Sequence, residues 1–328
     1  MPRVPWRLLL GFALSAILVV ALTRGMDPGA LQAALAAADV RVLPGAILLY
    51  FVAVWVRSIR WRLLLPPGSA STPVLFRALI VGFTANNVLP VRMGEVARAY
   101  LLARWCGLPY GTTVASLVVE RVLDGLALSL FLLASLLFVP APGYLLGVGL
   151  LVGTGFCAVA AVLAFAAWNE AALASCVAWL TRPLPPGARA RGSRVVAGFA
   201  RGLRLVHGTG LIVRLAALSL LGWLCELSVF LVVMLGFPLP RSLALALLAG
   251  SAANFATLVP SSPGYVGTFD GALTRVLHDA ANVAPEPALA YAIVVHATLF
   301  LPVTLAGAVV LWRSRVSLGQ VSRAPAPA

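Results

Sequence analysis

The sequence predicts an all-α polytopic membrane protein with about six full spans, two re-entrant hairpins and an inverted repeat. Composition is the first reason: 61% of the 328 residues are apolar, 10% are charged and the mean hydropathy is +1.00, where a soluble domain carries roughly 25% charged residues. The second is that apolar runs of about 20 residues, enough to cross the hydrocarbon layer as a helix, recur along the chain. The third is where the charge sits. All 24 basic residues are arginine, set against 10 acids for a net charge of +14, and most flank apolar runs, as cytoplasmic loops and contacts to anionic head groups require. Nucleic acid is thereby set aside as a partner.

The first run, 8–22, follows Arg3 and Arg7, and Thr23-Arg24-Gly25 offers no small-residue cleavage site, so it is expected to remain as a first span. Further spans are expected at 42–56, 112–139, 144–168, 211–236 and 287–312. Placing Arg57, Arg60, Arg62, Arg77, the arginines from Arg182 to Arg214, and Arg313, Arg315 and Arg323 on one side orients both termini to the cytoplasm of an inner membrane. Segments 74–104 and 242–285 then begin and end on the same side, with apolar stretches too short for two crossings. Each is expected to be a re-entrant hairpin, since irregular backbone at that depth survives only inside protein or a wet cavity.

The whole of 1–328 reads as a single transmembrane domain. Half one covers 42–139 with hairpin 74–104, a basic cytoplasmic connector covers 169–210, and half two covers 211–312 with hairpin 242–285. A shift of 168 positions lays Trp55 on Trp223, Gly82 on Gly250, Ala85 on Ala253 and Asn86 on Asn254. With opposite entry sides, that is the pattern of an inverted repeat. Within the connector, Pro183, Pro185 and Pro186 precede a stretch, 193–207, that reads either as a basic interfacial helix or as a solvated linker.

The densest polar sequence at membrane depth is 82–98, with Asn86, Asn87, Pro90, Arg92, Gly94, Glu95 and Arg98, followed by Glu120, Arg121 and Asp124. Charges near the bilayer centre cost at least about 2.5 kcal/mol each unless paired or hydrated, so these face inward. Three-residue spacing puts Arg92, Glu95 and Arg98 on one face. Two readings stand: a neutral structural ion-pair network, or an anion site in which a helix broken at Pro90 exposes backbone donors. The second hairpin carries Asn254, Pro260, Pro263, Gly264 and Gly267, whose prolines and glycines forbid a continuous helix. Glu226 and His296, isolated in the fifth and sixth spans, are candidates for proton coupling or for pairing with an arginine; for His296 a hydrogen-bonded core role is the alternative.

Cys106, Cys157, Cys176 and Cys225 form no CxxC pair, so neither disulfides, a metal nor a cofactor is expected. No Walker loop, HExxH or GxSxG occurs, and no catalytic residue is expected.

Four ordered motifs, Arg60-Trp61-Arg-Leu-Leu64, Gly82-x-x-x-Asn86-Asn87-x-Leu89-Pro90-x-Arg92-x-Gly94-Glu95-x-x-Arg98, Glu120-Arg121-x-x-Asp124 and Pro260-x-x-Pro263-Gly264-x-x-Gly267, resemble the flippase-like family, which includes the transmembrane region of lysylphosphatidylglycerol synthases. The resemblance implies lipid translocation, with 82–98, 120–124 and 260–270 in the site. In the synthases a C-terminal aminoacyltransferase follows this region; here the chain closes soon after Arg313, so synthesis is not expected of it. The leading expectation is a non-enzymatic translocase for an anionic phospholipid or a polyprenyl-phosphate-linked lipid. Its rivals are a non-catalytic subunit partnering a glycosyltransferase or lipid-modifying enzyme, and a proton-coupled carrier of small solutes.

Overall fold

The computed structural model describes residues 6–89, 93–169, 175, 187, 197–200, 202–259 and 263–316, the side chains of 6–12 excepted. Pro90, Arg92, Pro260 and most of connector 169–210 lie outside the described residues. All regular structure among the described residues is helical: α1 (Trp6–Thr23), α2 (Pro28–Ala36), α3 (Leu43–Leu63), α4 (Thr72–Val88), α5 (Gly94–Cys106), α6 (Tyr110–Ser135), α7 (Gly143–Trp168), α8 (Thr209–Met234), α9 (Leu243–Ala256), α10 (Thr268–Ala281) and α11 (Pro285–Ser314).

Prolines open α2, α3, α4 and α11 at their first turns, where the missing N–H has no partner to lose. Asp27 caps α2 by accepting from Gly29 N, and Ser242 caps α9 by accepting from Leu245 N. Helix α4 stops because Leu89 is extended (ψ 145°), the conformation that a following proline imposes. Gly107 (φ 65°) and Asn282 (φ 51°) end α5 and α10 in left-handed turns.

Four helices are long and apolar enough to cross a membrane: α3 with the turn before it, α7, α8 and α11. Helices α1 and α2, bent by 92° to each other, form a fifth candidate when taken together. The expected span at 112–139 falls on α6, as long as α7 at 26 residues but carrying Glu120, Arg121 and Asp124 and not among those four. The chain is thus a multi-pass membrane protein. The segments read as hairpins each become two helices, α4–α5 broken at 89–93 and α9–α10 broken at 257–267, and the two members of each pair pack side by side.

Helix α3 packs along α8 at the centre, α4 against α11, α9 against α6, and α7 against α6. Small residues let these backbones approach, as membrane helices require. The clearest case is α4 on α5, where a Cβ on Gly94 would collide with the Gly82 carbonyl oxygen and the Asn86 side chain. Helix α7 leaves Leu151, Phe165 and Trp168 exposed, an outer face fit for lipid rather than water. Its first turn is tied to α10 by the Tyr144 hydroxyl, which donates to Asp279 at 2.8 Å.

Candidate functional site

Two arginines that the orientation count assigned to a cytoplasmic loop sit instead inside α3. Arg57 and Arg60 are 6% and 0% exposed, so both leave that count. Arg57 Nη2 lies 2.8 Å from Glu226 Oε2, and its guanidinium stacks 4.1 Å above the Trp223 ring. Arg60 Nη1 lies 2.7 Å from Asp124 Oδ1 and donates to Ser219 Oγ at 3.0 Å. Trp223 completes the joint by donating its indole N–H to Asp124 at 3.0 Å. The sequence did hold a signal: the apolar residues Leu63, Leu64 and Leu65 follow the arginines, and α3 runs through Arg57 and Arg60 to end at Leu63.

Arg98, expected on one face with Arg92 and Glu95 as a head-group ligand, is engaged elsewhere. It grips Glu120 through two hydrogen bonds of 2.7 Å and stacks 4.0 Å over Trp61, with only 2% of its surface exposed. Arg98, Glu120 and Asp124 therefore form a packed ion-pair layer, where desolvated charges persist only when paired and hydrogen-bonded. Arg121 differs. It contacts Glu120 at 3.0 Å and Asp124 at 3.4 Å, yet its side chain is 42% exposed.

That exposure opens onto a cavity of about 160 Å³, an order of magnitude more than the 10–15 Å³ one water needs. Both helix breaks reach it. Asn86, Asn87 and Phe83 come from α4, Glu95 from α5, Arg121 from α6, Asn254 and Thr257 from α9, Tyr265 from the turn that follows, and His296 and Phe300 from α11, while Arg57 and Glu226 close the side formed by α3 and α8. Pairing Asn86 with Asn254 by sequence shift thus lands both on one cavity, each in the last turn before its helix breaks. The accompanying match of Trp55 to Trp223 joins unlike places: Trp55 is 41% exposed and Trp223 is 5% exposed.

Local hydrogen bonds hold the breaks. Asn86 Oδ1 accepts from Gly94 N at 2.7 Å, Asn87 donates to Thr304 Oγ1 at 2.8 Å, and Asn254 donates to the Gly250 carbonyl at 2.9 Å. In the second break Gly264, Tyr265 and Gly267 have φ of 78°, 60° and 88°, and Pro263–Tyr265 forms a single 3₁₀ turn. Asp270, the last residue of the segment 260–270 that the family resemblance put in the site, accepts from Gly267 N at 3.0 Å and meets His296 Nδ1 at 2.7 Å. The other ring nitrogen of His296 lies 2.8 Å from the Gly264 carbonyl oxygen. Both ring nitrogens of His296 are thus engaged, and the residue lines the cavity.

The charge arithmetic of this region is specific. Buried Glu120, Asp124 and Glu226 are matched by Arg98, Arg60 and Arg57, which leaves Arg121 and the acid Glu95 as the further charges lining the cavity. Arg57 Nε and Nη2 and Arg121 Nε are buried without a hydrogen-bond acceptor, the Arg57 Nη2 contact to Glu226 being out of line for one. Such donors favour an anion that completes them. Among the described residues no group of three His, Cys, Asp or Glu is placed to hold a metal ion.

Residues 8–307 match the family described as the lysylphosphatidylglycerol synthase TM region. The chain is also 27% identical over 329 aligned positions to a glycosyltransferase, AglD, of Haloferax volcanii. That alignment covers 90% of this chain and 53% of the relative, so the chain spans about half the length of the curated relative it matches.

Proposed function

The chain belongs to the lysylphosphatidylglycerol synthase TM region family, and from that membership we propose that it is a lipid translocase. A phosphate-bearing head group, of a phospholipid or of a polyprenyl-phosphate-linked lipid, enters the cavity between the helix breaks while its tails stay in the bilayer. Arg121 carries the reading: it is a half-exposed cation at the cavity wall whose contacts Glu120 and Asp124 are also paired with Arg98 and Arg60, so an incoming phosphate can compete for it. Arg57 adds donors that lack acceptors, and Asn86, Asn87 and Asn254 supply neutral polar contacts. Glu95, on the same wall, keeps the site from holding the anion too tightly.

Alternating access in this reading uses an inverted repeat within an inner membrane, both termini cytoplasmic. Its support is the packing. Exchanging α3–α6 for α8–α11 in order maps α3–α4 onto α8–α9, α4–α5 onto α9–α10, α5–α6 onto α10–α11, α4–α11 onto α9–α6 and α3–α11 onto α8–α6, with α3–α8 mapping onto itself. The contact of α8 with α11 is left without an equally extensive counterpart.

The test is a reconstituted vesicle in which fluorescent anionic and zwitterionic lipids are followed between leaflets. The anionic lipid should move faster, by a margin that shrinks with salt where the site is hydrated. Mass spectrometry of the same vesicles should find lipid composition unchanged, as for a protein that is not an enzyme. Equal rates for both lipids, or none above empty vesicles, would remove the reading.

One observation favours a second reading, the relative named as a glycosyltransferase of which this chain matches about half. In that reading the chain is the membrane unit of a glycosyl-transfer system. It would then co-purify with a glycosyltransferase and raise its activity on a lipid acceptor, with no lipid movement of its own.

A further inference from the structure

We propose that Asp270 and His296 form a proton-binding site that couples one proton to movement of the α9–α10 break, and so to the lipid site; this rests on the reading of the cavity as a lipid path. The inference comes from donor and acceptor counting. A neutral imidazole has one N–H donor and one lone pair. Here both ring nitrogens face oxygens, Nδ1 at 2.7 Å from Asp270 Oδ1 and Nε2 at 2.8 Å from the Gly264 carbonyl. The carbonyl can only accept, so Nε2 carries a hydrogen. The other contact then needs a hydrogen of its own, on Nδ1 or on the Asp270 carboxyl. In either arrangement the pair holds one proton more than a neutral histidine beside a carboxylate. Asp270 Oδ2 is already engaged by Gly267 N at 3.0 Å, so the carboxyl group is held in place.

Loss of that proton leaves two acceptors facing each other, either at Gly264 or at Asp270, and one contact must separate. The chain beside it is built to respond. Gly264 and Gly267 lie at positive φ, a region that glycine shares with the rest of its wide conformational range, and Tyr265 between them lines the cavity. His296 is steadied by Phe269 and Phe300, with ring centroids 4.9 and 5.6 Å away, so the displacement falls on the break rather than on the ring. The ionisable groups facing it from the elements around it are Asp270 of α10 and Tyr265 of the turn, and across the cavity Glu226 of α8, Tyr50 and Arg57 of α3, Glu95 of α5 and Arg121 of α6. Helix α4 contributes only the amides of Asn86 and Asn87 there.

The experiment has two arms, in a background with Cys106, Cys157, Cys176 and Cys225 changed to serine. In the first, Thr257→Cys at the cavity wall is alkylated at pH 5.5 and pH 8, and the ratio of rates is compared with that of the same protein carrying His296→Gln. Asp270→Asn is introduced together with His296→Gln, so that donors and acceptors remain but neither partner takes up a proton, and the thiol's own pH response cancels in the comparison. The two ratios should differ several-fold; identical ratios overturn the proposal. In the second arm, vesicles with a one-unit pH gradient should shift the fluorescent anionic lipid from an even distribution, by up to about tenfold for one coupled proton. The shift should vanish with a protonophore or with both substitutions. Lipid that moves without responding to the gradient overturns the coupling and leaves the translocase reading standing. A differing alkylation ratio without any lipid movement removes the translocase reading instead.

Discussion

Arg98 and Arg121 both lie close to Glu120, yet the structure gives them opposite duties, and single substitutions should separate them. Arg98→Ala leaves Glu120 buried and without its bidentate partner, a loss of about 3–5 kcal/mol for a broken buried pair, enough to abolish folded yield in membranes. Replacing Arg98 and Glu120 together with methionine should restore that yield, because the pair is then absent rather than broken. Arg121→Gln should fold normally and slow anionic lipid movement by about tenfold, the equivalent of one charge-assisted contact at about 1.4 kcal/mol. Normal transport by Arg121→Gln in folded protein would sink the assignment of the site. The sequence made the cluster legible because charges inside apolar sequence are costly and therefore meaningful, and Asn86, Glu95, Arg121, Asn254, Glu226 and His296 do line or adjoin one cavity. It could not say which acid each arginine meets. Arg57 with Glu226, Arg60 with Asp124, and Asp270 with His296 are tertiary pairs, and nothing in local spacing announces them.

At the scale of elements, the break between α4 and α5 depends on two glycines as much as on Pro90. Gly94 sits against Gly82 and donates its N–H to the Asn86 side chain, so Gly94→Ala forces the pair apart. Overpacking of this kind costs about 1–3 kcal/mol, and the thermal midpoint in detergent should fall by several degrees. Gly45→Ala, in α3 where nothing lies within 4 Å of the added carbon, is the matched control and should leave the midpoint unchanged or raised. A drop of equal size in both variants would mean that close approach at Gly94 has no special weight. Helix positions were readable from apolar runs: the expected 211–236 and 144–168 lie within two residues of α8 and α7 at each end. The breaks were readable from prolines and glycines. Less legible was α1, whose run meets α2 at a right angle, because a bend at Gly25 and Pro28 is set by what each helix packs on rather than by hydropathy.

For the whole molecule the question is which face each helix pair enters from. Arginine counting gave an answer, but it leaned on Arg57 and Arg60, which are buried and say nothing about loops. The packing pairs add a two-fold exchange of the halves, with α3–α8 mapping onto itself, and an inverted repeat is the form of that exchange in which the pairs enter from opposite faces. They also move the place where accessibility should be measured. Both breaks line the same cavity, so cysteines at their tips, such as Val88 or Thr257, share one water path and cannot report opposite faces. The feet of the pairs can. Pro67, before α4, and Arg241, before α9, are both exposed and lie at the entry of their respective pairs. With an inverted arrangement, a membrane-impermeant thiol reagent added to right-side-out vesicles should label Arg241→Cys and spare Pro67→Cys, and inside-out vesicles should reverse the result. Cysteine at Arg204, within the basic connector, should follow Pro67 if that connector is cytoplasmic. Labelling of Pro67→Cys and Arg241→Cys from the same side would leave the packing symmetry without its topological meaning, and the alternating-access scheme would have to be replaced by one with a single fixed entrance.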